Sequence, residues 1–206
     1  AAFRTCSQHQ LNLLSFKDER LLNWNLTEHK SRSQAYRAIV SYLIEADVAQ
    51  RQRLLAEIER QLMPTARPPR LTLSWNEVRQ MQQQYPNVTL GTHTANHLDL
   101  STHSDRTAEE MKISMAQMKT EIGCQPQHLA FPYNRYNDQA IAQVAAARLS
   151  SAVAIAPDPV VRLGTSRYAL PRLEAPQSML LLKSWTNGGF PDVSRRLFGR
   201  IWTTPC

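Results

Sequence analysis

Between Ser31 and Met63 the apolar residues recur at helical spacing: Ala35, Tyr36, Ile39, Val40, Leu43 and Ile44, then Leu54, Leu55, Ile58 and Leu62. A stripe of that period marks the buried face of an amphipathic helix. Asp47 interrupts it and is placed to cap a second helix. The Pro-rich run from Pro64 to Pro69 ends the unit. Upstream, residues 1–30 show no clear period. Downstream, Ser74-Trp75-Asn76-Glu77 has the spacing of a capping box, in which a hydroxyl and a carboxylate three residues apart each accept the other's backbone N–H. It opens a helix with Trp75, Val78 and Met81 on one face, stopped at Pro86-Asn87. Val88-Thr89-Leu90 reads as a short strand. Thr107-Ala108-Glu109-Glu110 reads as a second capping box, opening a helix with Met111, Met115, Met118 and Ile122 on one face and Gly123 at its C-cap. A methionine stripe at this spacing is a core face before it is a binding surface. Leu129-Ala130-Phe131 is the next strand, residues 138–149 an Ala-rich helix, and Ala152 to Ala156 and Tyr168 to Leu173 two further strands. From residue 71 onward this alternation predicts an α/β fold with a largely parallel sheet. In such sheets the working residues gather at the C-terminal ends of the strands.

Composition narrows the class. The chain has 206 residues, 42% hydrophobic and 20% charged. That length suits one domain with an appendage, and a core that needs no disulfide staples. It is not the composition of a disordered chain. No apolar run reaches the ~18 residues of a spanning helix. The N-terminal residues lack an apolar stretch with a small-residue cleavage site, so no signal peptide is expected. Without an initiating Met, residue 1 is not expected to be the natural start. The formal net charge is +7, unevenly distributed. Residues 1–70 hold 11 Lys and Arg against 7 Asp and Glu, residues 71–175 hold 9 against 9, and residues 176–206 hold 4 against 1. The basic residues of the first block are spread through a helical stretch as a solvated face, not gathered into a stripe with interleaved aromatics, so a nucleic-acid partner is not expected. The tail, Met179-Leu180-Leu181-Leu182-Lys183-Ser184-Trp185 followed by Arg195-Arg196-Leu197-Phe198, is apolar and basic. It reads either as a helix packing on the core or as a membrane-surface contact. Cys6, Cys124 and Cys206 form no framework, though the two terminal ones could pair.

Two segments carry chemistry. The first runs from Leu90 to Ser101 and places His93 and His97 four residues apart, just after a predicted strand. Two imidazoles at that spacing can share one divalent metal; a loop with two polar histidines is the other reading. The second, Leu129 to Tyr136, is a strand running into Pro132-Tyr133. Backbone N–H groups freed at such a strand end can stabilise a developing oxyanion; read alone, the segment is first an edge-strand terminus.

In this order and spacing the two segments resemble the polysaccharide deacetylases of carbohydrate esterase family 4, the NodB homology domain. Gly91 through Leu100 matches the family's His-[Ser/Thr]-x-x-His segment, and Phe131 to Tyr133 matches its strand ending in a Pro-Tyr turn. Trp75 with its helix, and the strand Tyr168 to Leu173, also look like family segments. The resemblance implies an incomplete distorted (β/α) barrel over residues 71–175, with residues 1–70 carrying a helical insertion before the second motif and residues 176–206 forming a tail packed on the core. It implies that His93 and His97 bind a divalent metal, zinc first, and that the Tyr133 N–H holds the oxyanion. Pro132 and Asn134 are placed at the substrate edge, with Leu129, Pro132 and Trp75 serving the scaffold. The implied substrate is an acetylated polysaccharide, in a bacterial cytoplasm or cell envelope.

The sequence also departs from the family. The family's paired Asp, one the base and one a metal ligand, should lie upstream of the helical stretch. The nearest acidic pair there, Asp18-Glu19, lies in Ser-Phe-Lys-Asp-Glu-Arg without the expected apolar strand, so Asp18 is read as a solvated residue. Asp99 is read as capping the turn after His97. The family's Gly after Pro-Tyr is Asn134, and its late His, the general acid, has no counterpart beyond His128; His103 and His128 are read as surface histidines. The expectation is a deacetylase that is weak or inactive as this chain. The alternative is a non-catalytic carbohydrate-binding or scaffolding descendant.

Overall fold

The computed structural model describes residues 6–66, 70–156, 160–173 and 175–186. Two short strands, β1 (Gln10–Asn12) and β2 (Asn23–Asn25), pair antiparallel with Leu11 opposite Trp24. Three-residue strands are too short to show a period, which is why the first thirty residues look featureless in sequence. Leu11, Leu13, Leu21 and Leu26 are nonetheless fully buried. They form one core with Ala35, Ile39, Tyr42, Leu54, Ile58 and Leu62 from α1 (His29–Glu45) and α2 (Val48–Leu62). The helical stripe thus holds, with Tyr36 and Leu55 exposed at its edges. Asp47 does cap α2: its carboxylate accepts the Gln50 N–H at 2.7 Å and the Gln50 side chain accepts the Asp47 N–H at 2.9 Å.

Asp18 is not simply solvated. It is half-buried and paired with Arg20 at 2.8 Å, and Arg20 reaches Glu45 at the end of α1 at 2.6 Å.

A second core, built from Leu98, Leu100, Met111, Leu129, Phe131, Ala140, Val144, Leu149, Ala152 and Ala154, holds the α/β part together. α3 (Trp75–Gln84) opens on the expected capping box, with Ser74 and Glu77 each accepting the other's backbone N–H. α4 (Thr107–Ile122) buries Met111 and Met118 and ends at Gly123, whose φ of 71° is the left-handed conformation a C-cap favours. β3 (His128–Ala130), β4 (Ser151–Ile155) and β5 (Leu170–Arg172) make a parallel sheet in sequence order, Leu129 opposite Ala152 and Val153 opposite Leu170. α5 (Asp138–Ala146) connects β3 to β4. The α/β reading therefore holds, whereas the described residues form this small sheet with helices and not a closed barrel.

Two local expectations fail. Val88-Thr89-Leu90 is not a strand: Val88 is 42% exposed, with no sheet face to cover, and the chain meets β3 only through a single bridge from Thr92 to Leu129. The second capping box does not form. Arg106 is the N-cap without a side-chain bond, the buried Thr107 hydroxyl has no partner, and the Glu110 carboxylate is drawn to the histidine loop instead.

The last element, α6 (Met179–Thr186), leaves Met179 and Leu180 largely exposed. No helix among the described residues is long and apolar enough to cross a membrane. The Arg195-Phe198 segment and Cys206, which could have paired with Cys6, lie outside the described residues.

Candidate functional site

The site begins at a close backbone approach. Gly91 lies against β3, and a Cβ built on it would meet the His128 carbonyl oxygen at 2.9 Å. With no side chain there, Thr92 can donate its N–H to His128 O at 2.8 Å and accept the Ala130 N–H at 3.0 Å. This one-residue bridge puts His93 at the C-terminal mouth of β3. The Thr92 hydroxyl is buried and bonds the Ser114 hydroxyl of α4 at 2.6 Å, which anchors the loop's entry.

From there the chain makes a tight loop with Thr94 (φ 66°) and His97 (φ 54°) in the left-handed region. The loop brings the two rings together edge-on, with centroids 4.5 Å apart. His93 Nδ1 lies 2.7 Å from the Ala130 carbonyl oxygen, a bond that fixes the ring and leaves Nε2 for another partner. His97 is half-buried. Burial holds its imidazole below the usual value, and the neighbouring His93 and Arg51 charges add to the shift. A lowered imidazole pKa favours the neutral ring, the form that ligates metals.

The second segment closes on the first. Beyond β3, residues Pro132–Asn134 form one 3-10 turn in which Tyr133 (φ 53°) and Asn134 (φ 58°) are both left-handed. The Tyr133 ring packs edge-on against His97, centroids 4.3 Å apart. Four of the seven described non-glycine residues with positive φ thus sit in these two loops. Such strained residues persist only where their surroundings over-determine them, and they cluster at functional sites. Where the family has glycine, Asn134 adopts the conformation glycine favours. Its carboxamide donates to Ile155 O at 2.6 Å and ties the turn to the end of β4. Pro132 is buried, and Phe131 stacks on Tyr136 at 4.3 Å across the turn.

Asp99 links the two loops. It is 1% exposed; one oxygen accepts the Ser101 N–H and hydroxyl at 2.9 and 2.6 Å, and the other accepts from Arg135 at 2.9 Å. Burial alone would raise its carboxyl, but the bonds from Arg135 and Ser101 outweigh that and leave it below the ordinary value. The turn-capping role expected of Asp99 is therefore present, together with an ion pair that spacing did not disclose. His128 bonds the Ser151 hydroxyl at 2.9 Å and His103 the Glu45 carbonyl at 2.8 Å, so neither joins the pair.

The structure thus brings His93, His97 and Tyr133 to one mouth. Among the described residues no third His, Cys, Asp or Glu completes a metal-binding group with them. The imidazoles suit the nitrogen half of a divalent-metal site, since one is oriented by a carbonyl and burial of the other favours its neutral form. Catalytic zinc sites usually take three protein ligands and a water. Sequence reasoning missed Arg51, Glu110 and Arg135. Glu110 looked like a helix cap, and Arg51 lies more than forty residues from the loop it serves.

The imidazole pair and the Pro-Tyr turn thus meet at the mouth of a parallel sheet. The profile of the polysaccharide deacetylase family matches residues 28–152, and the chain belongs to that family. The matched span begins at the first turn of α1 and takes in both N-terminal helices. Among solved structures, the chain is similar to a deacetylase of Streptococcus pyogenes in complex with acetate, at 24% identity over 54% of this chain and 50% of that one, TM-score 0.49. A de-N-acetylase from Aggregatibacter actinomycetemcomitans matches at 18% over 56% and 53%, TM-score 0.45. The deacetylase domain of a Bordetella bronchiseptica protein matches at 14% over 68% and 76%, TM-score 0.43. The chain spans about half the length of the first two. No curated protein sequence matches it.

Proposed function

We propose that this chain belongs to a hydrolase that removes acetyl groups from an acetylated polysaccharide, and that it supplies the imidazole part of a divalent-metal site, zinc first, on part of a distorted barrel. The observation that carries the reading is the convergence of His93, His97 and Tyr133 at one strand-end mouth, with centroids 4.5 and 4.3 Å apart. When bound, the metal would supply Lewis-acid polarisation of the acetyl carbonyl and a water of lowered pKa.

The chain's own residues divide the remaining work. His93, oriented through Nδ1, and His97, whose burial favours the neutral ring, offer the donor atoms. The Tyr133 N–H donates to the oxygen that becomes negative when water adds to the acetyl carbon. Collapse of that adduct breaks the bond to the sugar nitrogen or oxygen, releases acetate and leaves a free amine or hydroxyl. Pro132 and Asn134 bound the substrate edge of the mouth. The sequence offers no paired aspartate and no late histidine for proton transfer, so acetate release by this chain alone is expected to be weak or nil.

The test combines metal content with acetate release. The purified chain is expected to take up zinc weakly, and His97→Ala to abolish the uptake. Stoichiometric zinc in a chain with both histidines replaced would refute the site. Acetate release from acetylated oligosaccharides is expected to be at most weak, raised by added zinc and lost in His97→Ala. Oligosaccharide binding with no acetate release at any zinc concentration would support a non-catalytic carbohydrate-binding role instead.

A further inference from the structure

One guanidinium from α2 and one carboxylate from α4 converge on the histidine loop. Glu110, on α4, is fully buried. One of its oxygens accepts the N–H of Ala95 at 3.1 Å and of Asn96 at 2.7 Å, and the other accepts from the Asn96 carboxamide at 2.8 Å. Arg51, on α2, donates through Nη1 to Asn96 O at 2.6 Å and through Nη2 to His97 O at 3.3 Å. Its Nε donates to Leu43 O at 2.7 Å, and Nη2 also reaches Ile44 O at 3.3 Å, both in the last turn of α1.

The consequences are local. Asn96 has its N–H held by an anion and its C=O by a cation, so the peptide units on both sides of it are oriented. His97, the next residue, sits at φ 54°, a conformation that a residue with a Cβ rarely adopts unaided. Every bond from the pair to the loop lands on residue 95, 96 or 97, between the two imidazoles and at the second one. The planar guanidinium has five donors in a fixed fork, and here four carbonyls on two elements share them. A lysine ammonium cannot reproduce that geometry. A glutamine at position 110 would turn an amide donor toward one of the loop's own donors.

We propose that Arg51 and Glu110 are positioning residues that hold the His93–His97 loop in its ligand-ready form, so that the N-terminal helices α1 and α2 are part of the site's machinery. The metal arm of the test rests on the function proposed above; the metal-free arm does not.

The test uses the full chain with Arg51→Lys and Glu110→Gln. Without metal, the histidine ring and backbone amide signals are compared by NMR. Both variants are expected to shift the ring signals of His93 and His97 and the amides of residues 94–98, leaving the β3, β4 and α5 amides in place. With cobalt(II) as the probe, affinity is expected to fall about 10- to 100-fold, as for other groups that orient metal ligands. Loop and ring signals superimposable on those of the unsubstituted chain, with cobalt affinity within about twofold, would overturn the proposal. So would shifts spread equally through β3, β4 and α5, because the pair would then be holding the fold and not the loop. If Glu110→Gln fails to fold, Arg51→Lys decides. If the unsubstituted chain binds no cobalt, the metal reading fails and the ring spectra alone decide the positioning role.

Discussion

Replacing Asp99 should separate two contributions that the structure makes visible. Asp99→Ala removes the acceptor of the Ser101 N–H and hydroxyl and the partner of Arg135. Losing the backbone cap should cost about 1 kcal/mol, as for a side chain capping a helix. The Arg135 side chain is 50% exposed, so its ion pair is discounted for solvent screening to at most about 1 kcal/mol. The sum is about 2 kcal/mol, or a fall in Tm of about 4–8 °C for a chain of this size. Asp99→Asn keeps a carbonyl acceptor for Ser101 but turns its NH2 toward the Arg135 guanidinium, so it spares the cap and removes the ion pair with its hydrogen bond, at a cost of about 1 kcal/mol. Urea unfolding followed by tryptophan fluorescence, at unchanged m-value, measures both. If Asp99→Ala lies within about 0.5 kcal/mol of the unsubstituted chain, the link between the two loops is not what the geometry implies.

Three further outcomes follow from the same geometry. Gly91→Ala places a methyl 2.9 Å from the His128 carbonyl oxygen and should cost about 1–3 kcal/mol by forcing the Thr92 bridge apart, seen as faster hydrogen exchange at the Thr92 and Ala130 amides. Asn134→Ala should cost about 2 kcal/mol, through its left-handed φ of 58° and the lost bond to Ile155, and Asn134→Gly should recover about half of that; equal losses in calorimetry would refute the conformational part. The Asp18 carboxyl is held below its ordinary value by the hydrogen bond from Arg20, against burial. A carboxyl depressed on folding contributes stability that is complete above its unfolded pKa of about 3.9 and is lost as pH falls through the lower folded value. Asp18→Asn should therefore lower the urea midpoint at about pH 6 and lose that difference toward about pH 2; a difference independent of pH would refute the pairing.

Much of this protein could be read along the chain wherever the determinant was local. The stripe of α1 and α2, the Asp47 cap, the Ser74–Glu77 box and the left-handed Gly123 each depend on residues within a turn or two of one another, and each appears as expected. His93, His97 and Pro132-Tyr133 stood out as compact motifs, and the structure brings their rings together. Misreadings arose where a residue's local partner lost to a distant one. Thr107 and Glu110 have capping-box spacing, but a buried carboxylate is better satisfied by three N–H donors of the histidine loop than by one helix terminus. Val88-Thr89-Leu90 has strand composition, but a strand needs a neighbour, and only Thr92 finds one.

By itself, then, the sequence determined the main helices, the parallel α/β character of the second half and the two motif-bearing loops. Only the tertiary structure decided what holds those loops. Arg51 reaches the histidine loop from α2, Glu110 reaches it from α4, and Asp99 ties it to the Pro-Tyr turn through Arg135. Hydrogen bonds between charged side chains and backbone groups dozens of residues away leave no periodicity and no spacing in the chain. They exist only once two cores have folded and brought their donors and acceptors within 3 Å or so of one another.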